Sequence, residues 1–176
     1  MEIDKDLYEK LCRYCAYQDR CESEVRSKLY ALKVPKEEYP PYITLLKQDK
    51  YLDETRYVKA FVAGHVRKKW GKVKIKAALQ MKGLKPELIK RFLAEVEDDN
   101  YEEKLLEVAQ KKARTIKAAT PSLARTKLMQ YLMGKGYEMD KIKVVLKKLK
   151  FWKLFHNNLF ISINLQRFKL IGFALQ

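Results

Sequence analysis

Apolar residues recur at helical spacing along most of the chain, and the clearest series lies near its middle. Val58, Val62, Val66 and Trp70 follow one another at steps of four. This spacing places them on one face of a helix of about four to five turns. Asp53 stands just before the series and is the predicted N-cap, because its carboxylate can accept hydrogen bonds from the N–H groups two or three residues on.

A second helix is predicted directly after the first. We expect Gly71 to end the first helix, after which Ile75, Ala78 and Leu79 form a new apolar face that runs to Gly83. Glycine after the last apolar position favours a left-handed turn, a conformation in which a Cβ atom is strained. A third helix is then expected to begin at the proline that follows, residue 86.

The same arrangement recurs at a period near 50 residues. When Leu29, Leu79 and Leu132 are aligned, an apolar residue precedes each by four positions. The residues that follow each leucine by four positions are Lys33, Gly83 and Gly136. Three helices in each period indicate a row of three-helix repeats. We therefore predict an all-α protein of three tandem repeats in an elongated, curved array, with boundaries at 1–50, 51–97 and 98–150.

Several further helix starts are predicted from polar residues at cap positions. Asp4 or Asp6 is expected to cap the first helix, Asp19 and Glu22 resemble a capping box for the second, and Thr120 precedes a proline that opens a helix in the third repeat. In the first repeat, Pro40 and Pro41 delay the third helix, since proline fits only its first turn.

Residues 151–176 break this pattern. They contain no acidic residue, and their aromatic residues have no helical period. Their longest uncharged run is too short to span a bilayer. A membrane-surface anchor is one interpretation, and an irregular tail that is not needed for function is the other, which we favour.

Charge divides the chain unevenly. The formal net charge is +16, yet residues 1–50 carry ten basic and ten acidic side chains, so the excess lies in the later repeats. Such an excess favours a polyanionic partner, which could be a nucleic acid, an acidic protein surface or an anionic membrane. Lysines that only keep the helices soluble are the alternative.

Basic residues concentrate around the second helices of repeats two and three. They are the predicted binding residues for a partner or a nucleic acid: Arg67, Lys68, Lys72, Lys74, Lys76, Lys82, Arg114, Lys117, Arg125 and Lys127. Contacts of this kind are made to phosphates and carry no sequence information. If the repeats stack, these residues would form a basic strip.

Candidate chemistry changes this picture little. Cys12 and Cys15 form a C-x-x-C pair and Cys21 follows, but the sequence offers no second pair to complete a zinc site. His65 is interpreted as a packed or surface histidine and not as a base. No phosphate loop or hydrolase motif is found. We therefore expect no enzyme activity, no metal and no cofactor. The charged N-terminus predicts a cytoplasmic protein.

The second repeat begins with the run Tyr51-Leu52-Asp53-Glu54-x-Arg56-Tyr57. Together with the spaced residues that follow it, this run resembles the bacterial RecX family. Those later residues are Gly71, Ile75, Leu79 and Lys82-Gly83-Leu84. The resemblance extends from about Tyr17 to Leu149. It implies that Asp53, Arg56, Gly71, Leu79, Lys82, Gly83 and Gly136 mostly determine the fold.

The resemblance also implies a function. RecX proteins regulate the RecA recombinase, lying in the groove of the RecA–DNA filament and suppressing its growth, ATP hydrolysis and strand exchange. By this reading the chain is a monomeric, non-enzymatic regulator in DNA repair that binds the RecA filament. An autonomous DNA-binding protein is the alternative. Two departures are expected to weaken helix ends, because Cys21 replaces a capping serine and Lys50 replaces a glycine.

Overall fold

Every regular element in the described part of the chain is helical. The structure is a computed structural model that describes residues 3–96 and 98–149. It divides into two compact units, Met1–Val96 and Glu97–Gln176. The predicted all-α helical-repeat fold is confirmed. The predictions for the tail, residues 151–176, lie outside the described residues.

The first unit contains six α-helices, which pack as two groups of three. They are α1 (Lys5–Tyr17), α2 (Glu22–Ala31), α3 (Tyr39–Gln48), α4 (Glu54–Arg67), α5 (Lys72–Met81) and α6 (Pro86–Ala94). A short 3-10 turn, Lys36–Glu38, precedes α3. The two prolines of α3 lie inside its first turn, so this helix begins at Tyr39 and is not delayed beyond them.

The second unit contains α7 (Asp98–Ala113), α8 (Pro121–Gly134) and α9 (Met139–Lys148). Its interior is formed by apolar side chains from all three helices, among them Leu105, Leu128 and Ile142, each with no exposed surface. Helix α8 opens at Thr120-Pro121 as predicted, and Thr120 caps it, because its hydroxyl accepts a hydrogen bond from the Leu123 N–H at 3.2 Å.

The repeat is visible in the backbone at the end of each second helix. The residues at the aligned position have φ values of +60°, +77° and +85°, namely Lys33, Gly83 and Gly136. In each case the next N–H donates to the carbonyl of the aligned leucine five residues earlier, at 3.2 to 3.4 Å. This is the Schellman closure of a helix. The predicted register is therefore confirmed.

Two other local predictions were wrong. Gly71 does not end α4, which closes earlier through Lys69 at φ +61° and a hydrogen bond from the Trp70 N–H to the His65 carbonyl. Gly71 has an ordinary φ of −78° and is instead the N-cap of α5. Because one left-handed residue suffices to reverse the chain, the turn is complete before Gly71.

The predicted capping box at α2 is the second error. Cys21 is the N-cap of α2 and makes no side-chain capping bond, whereas Asp19 lies outside the helix and accepts a hydrogen bond from Arg56 Nε at 2.5 Å. The acidic side chain is therefore used in a contact between repeats. Lys50, the other departure from the family pattern, has φ +60°, a region in which glycine is favoured.

Candidate functional site

A basic surface of the first unit is built on α5 and on the segment that leads into it. The sequence of α5 contains Lys72, Lys74 and Lys76 and no acidic residue. Arg67 and Lys68 lie at the end of α4 and are exposed, as is Lys76. No carboxylate within α5 neutralises these lysines, so the helix presents only positive charge among its ionised groups.

Two of the α5 lysines are held in place by neighbouring groups. Lys72 is half-buried, and its Nζ donates a hydrogen bond to the Val96 carbonyl at 3.2 Å. The Nζ of Lys74 lies 4.3 Å from the ring centroid of Trp70, which is a cation–π geometry. These contacts orient the two side chains, so neither is an ordinary mobile surface lysine.

Trp70 belongs to an aromatic stack along α4 that is partly buried against the hydrophobic core. The rings of Phe61 and His65 are stacked at 3.9 Å between centroids, and the His65 and Trp70 rings are 4.4 Å apart. The Nδ1 atom of His65 is 2.8 Å from the Phe61 carbonyl oxygen. His65 is therefore a packed residue, which is one of the two positions expected for it. The stack supports Trp70, which in turn supports Lys74.

Lys82 is engaged inside the first unit. Its Nζ lies 2.6 Å from Glu24 Oε1, and the Tyr57 hydroxyl donates to the same oxygen at 3.1 Å. Burial, together with the nearby Cys21 and Glu24, holds the pKa of Tyr57 well above its usual range. Lys82 thus joins α5 to α2, a contact that no sequence pattern indicates because the two residues are 58 positions apart.

Arg56 makes a second contact between the first two repeats. Besides its bond to Asp19, its guanidinium lies 3.4 Å from the carbonyl oxygens of Lys50 and Tyr51. The hydrogen bond to Asp19 raises the pKa of the guanidinium. Arg56 and Lys82 thus both join the first repeat to the second, and Asp53 caps α4 by accepting from two N–H groups at 2.8 and 3.0 Å.

In the second unit the predicted basic residues lie on α8 and on the loop before it. Arg125 and Lys127 are exposed residues of α8, and Arg114 and Lys117 are exposed in the segment between α7 and α8. Lys127 Nζ donates to the Lys117 carbonyl at 3.0 Å, which fixes the loop to the helix. Like α5, α8 contains no acidic residue.

The described residues offer little for catalysis. Among them, no group of three or more His, Cys, Asp or Glu side chains is placed to hold a metal ion. The three cysteines are free thiols. Burial raises the pKa of Cys15 to about 11, which opposes formation of the nucleophilic thiolate. None of the described helices is both long and apolar enough to cross a bilayer.

Comparison with known proteins yields one family. Residues 53–93 match the family model for the second three-helix domain of RecX, and residues 99–146 match the model for the third. A regulatory protein RecX from Clostridium acetobutylicum is 34% identical over 155 residues, which take in 85% of this chain and 72% of that protein. The corresponding protein of Salmonella typhimurium is 27% identical over 149 residues, 79% of this chain and 89% of that protein.

Some relatives are longer than the matching region. For a RecX protein from Clostridium botulinum, 31% identical over 131 residues, the match takes in 73% of this chain and 61% of that protein. Among solved structures, RecX from Lactobacillus salivarius has a TM-score of 0.70 at 24% identity, covering 81% of this chain and 93% of its own. A second RecX crystal structure has a TM-score of 0.74 at 21% identity.

Proposed function

Because the chain belongs to the RecX family of regulatory proteins, we propose that it regulates the RecA recombinase by binding along the RecA–DNA filament. The binding would slow filament growth and lower RecA ATP hydrolysis. The chain itself would carry out no reaction and need no cofactor, since ATP is bound and hydrolysed by RecA. It would act as a cytoplasmic monomer, through the repeats 1–50, 51–97 and 98–150.

The observation that carries this proposal is the charge on the second helices of the later repeats. Both α5 and α8 lack acidic residues and display exposed basic side chains, including Lys76 on α5 and Arg125 and Lys127 on α8. The second helix of the first repeat differs, because Glu22 and Glu24 are part of α2. Helices with this charge attract a polyanionic polymer.

RecA ATPase activity is the direct test. RecA on single-stranded DNA would be assayed with increasing amounts of the protein, and the steady-state rate of ATP hydrolysis should fall. The double variant Lys68→Glu and Lys76→Glu should inhibit less, since both changed residues are exposed. A control with the same charge change on the neutral first repeat, Lys10→Glu and Lys36→Glu, should inhibit as the unchanged protein does.

Equal inhibition by both double variants would contradict the role assigned to the α5 surface. An unchanged ATPase rate with the natural protein, at concentrations that saturate binding, would contradict the proposed function itself. Lys72, Lys74 and Lys82 are poorer choices for this test. Each of them makes a contact within the first unit, so their replacement would alter the fold as well as the charge.

The second candidate function is autonomous binding of nucleic acid without sequence preference, and the net charge of +16 favours it. The two candidates differ in salt dependence. Pure phosphate binding weakens linearly in a plot of log affinity against log salt concentration, with a slope set by the number of neutralised phosphates. Binding to bare and to RecA-coated single-stranded DNA would be titrated at several salt concentrations. Equal affinities and slopes would favour the autonomous DNA-binding protein.

A further inference from the structure

Helix α5 has an apolar face on its outer side as well as on its inner side. The inner face consists of Ile75 and Leu79, which have no exposed surface. On the outer side, Val73 is 53% exposed and Met81 is 89% exposed, with the exposed Ala77 between them. These three residues are four positions apart and therefore form a line along the helix. We call this line the outer α5 stripe.

Within α5, the residues that border the outer α5 stripe are lysines and neutral side chains. At 100° per residue, Ala77 lies at the centre of the line, Lys74 lies next to Met81 on one side, and Gln80 and then Lys76 lie next to Val73 on the other. Lys74 is directed over Trp70. A helix whose exposed side combines apolar residues with one sign of charge is not explained by solubility, because lysine or glutamate would serve better at positions 73 and 81.

We infer that the outer α5 stripe docks onto a protein surface, and that this surface has an apolar depression bordered by carboxylates. This inference rests on the proposed function: the partner would be the protein subunits of the filament and not the phosphates of its DNA. Phosphates can neutralise Lys76, but they offer nothing to a methionine or valine side chain. Methionine is unbranched and polarisable, so it adapts well to an irregular apolar cleft.

Comparison with the first and third repeats indicates that this kind of contact is confined to the second and third repeats. Helix α8, which also lacks acidic residues, exposes Leu123 at 42% and Met133 at 49%. In the first repeat, Glu22 of α2 is paired with Lys47 at 2.6 Å and with Arg26 at 2.7 Å. The combination of exposed apolar groups with an acid-free helix is thus found in α5 and α8 but not in α2.

Two other occupants of the stripe are less consistent with its size and charge. A stable dimer buries about 800 Å² on each partner, and a line of one methionine, one valine and one alanine covers only a small part of that area, whereas on a filament this line would be one contact among several that the proposed function makes. A second copy would also bring its own lysines against these lysines, which is unfavourable. An anionic bilayer would suit the charge, but the bulky aromatic side chains that favour the bilayer interface are absent from this stripe.

The test replaces the two large apolar side chains by polar ones of similar shape, in the variant Val73→Thr and Met81→Gln. The matched control, Val144→Thr and Met139→Gln, makes the same exchanges at exposed positions of α9. Affinity would be measured for RecA-coated and for bare single-stranded DNA at two salt concentrations, together with circular dichroism to verify the fold. The binding of each protein to vesicles with anionic lipids and its sedimentation would also be measured.

We expect the α5 variant to bind RecA-coated DNA about tenfold more weakly, which corresponds to about 1.4 kcal/mol. Its salt dependence and its affinity for bare DNA should not change, and the α9 control should resemble the natural protein. Unchanged affinity of a folded α5 variant for RecA-coated DNA would overturn the inference. The inference would also be overturned if the α5 variant lost as much affinity for bare DNA as for RecA-coated DNA. It would likewise be overturned if the natural protein bound vesicles or formed a dimer and the α5 variant did not. If the natural protein itself does not prefer RecA-coated DNA, the proposed function fails, which is a different result.

Discussion

Replacing Gly83 by alanine should destabilise the first unit, and the same replacement at Gly64 should stabilise it. Gly83 has φ +77°, and a Cβ atom added there would meet no other group within 4 Å. Alanine at position 83 therefore destabilises the protein through its backbone conformation and not through a steric clash of its Cβ atom. Gly64 lies within α4 at a conformation that suits any residue, and its added Cβ would also meet nothing within 4 Å.

The magnitudes follow from these conformations. An L-residue in the left-handed region costs about 1–2 kcal/mol, and the loss of glycine's freedom in the unfolded chain returns about 0.4–1 kcal/mol. Gly83→Ala should therefore lower the free energy of unfolding by about 1 kcal/mol. Gly64→Ala should raise it by about 0.5–1 kcal/mol, because alanine is the better helix former.

Urea unfolding followed by circular dichroism at the helix band measures both variants. The midpoint should move to lower urea concentration for Gly83→Ala and to higher concentration for Gly64→Ala. The slope m, by which the free energy of unfolding falls with urea concentration, should not change. The larger Gly83→Val change should be worse than Gly83→Ala, since a β-branched residue tolerates positive φ least. A Gly83→Ala variant as stable as the natural protein would refute the conformational argument.

Three further predictions concern packing and charge. Leu132→Ala should destabilise the second unit by about 2–5 kcal/mol, as measured by thermal unfolding, because this side chain has no exposed surface; a loss below 1 kcal/mol would contradict its place in the core. The pKa of Glu22 is lowered by its hydrogen bond to Lys47, so its contribution to stability, less than about 1 kcal/mol, is present above its unfolded pKa and is lost as the pH falls through the folded one. Glu22→Gln should remove that part of the acid dependence of the unfolding midpoint, and an identical profile in both proteins would argue against the ion pair. The pair of Lys82 and Glu24 should show a coupling energy of about 1 kcal/mol in a double-mutant cycle of Lys82→Gln and Glu24→Gln, and additive effects would show that the two side chains act independently.

The parts of the fold that the sequence predicted correctly depend on short-range signals. Asp53 and Thr120 cap helices whose first N–H groups are only two or three residues away, so position alone identifies them. The aligned leucines could be found because each Schellman closure spans six residues. The end of α4 was mispredicted because the turn at Lys69 is accompanied by packing of Trp70 against His65, and no local rule requires a lysine at that position.

The candidate surface was only partly accessible to such reasoning. Composition indicated that the later repeats are basic, but it did not distinguish the exposed Lys76 from Lys82, which is paired with a carboxylate of another helix. The pairs Asp19 with Arg56 and Glu24 with Lys82 join residues 37 and 58 positions apart. No periodicity connects residues at such separations, and they become evident only when the helices are packed.

The first two repeats exchange residues between their interiors. Cys21, from the first repeat, lies in the hydrophobic cluster of the second repeat. Leu52, from the second repeat, lies in the hydrophobic cluster of the first. A fragment cut near residue 50 would therefore leave a void on each side of the cut. Neither of the first two repeats is thus a module that can be excised or shuffled by itself. A shortened protein that contains either of the first two repeats should therefore contain both, as residues 1–96.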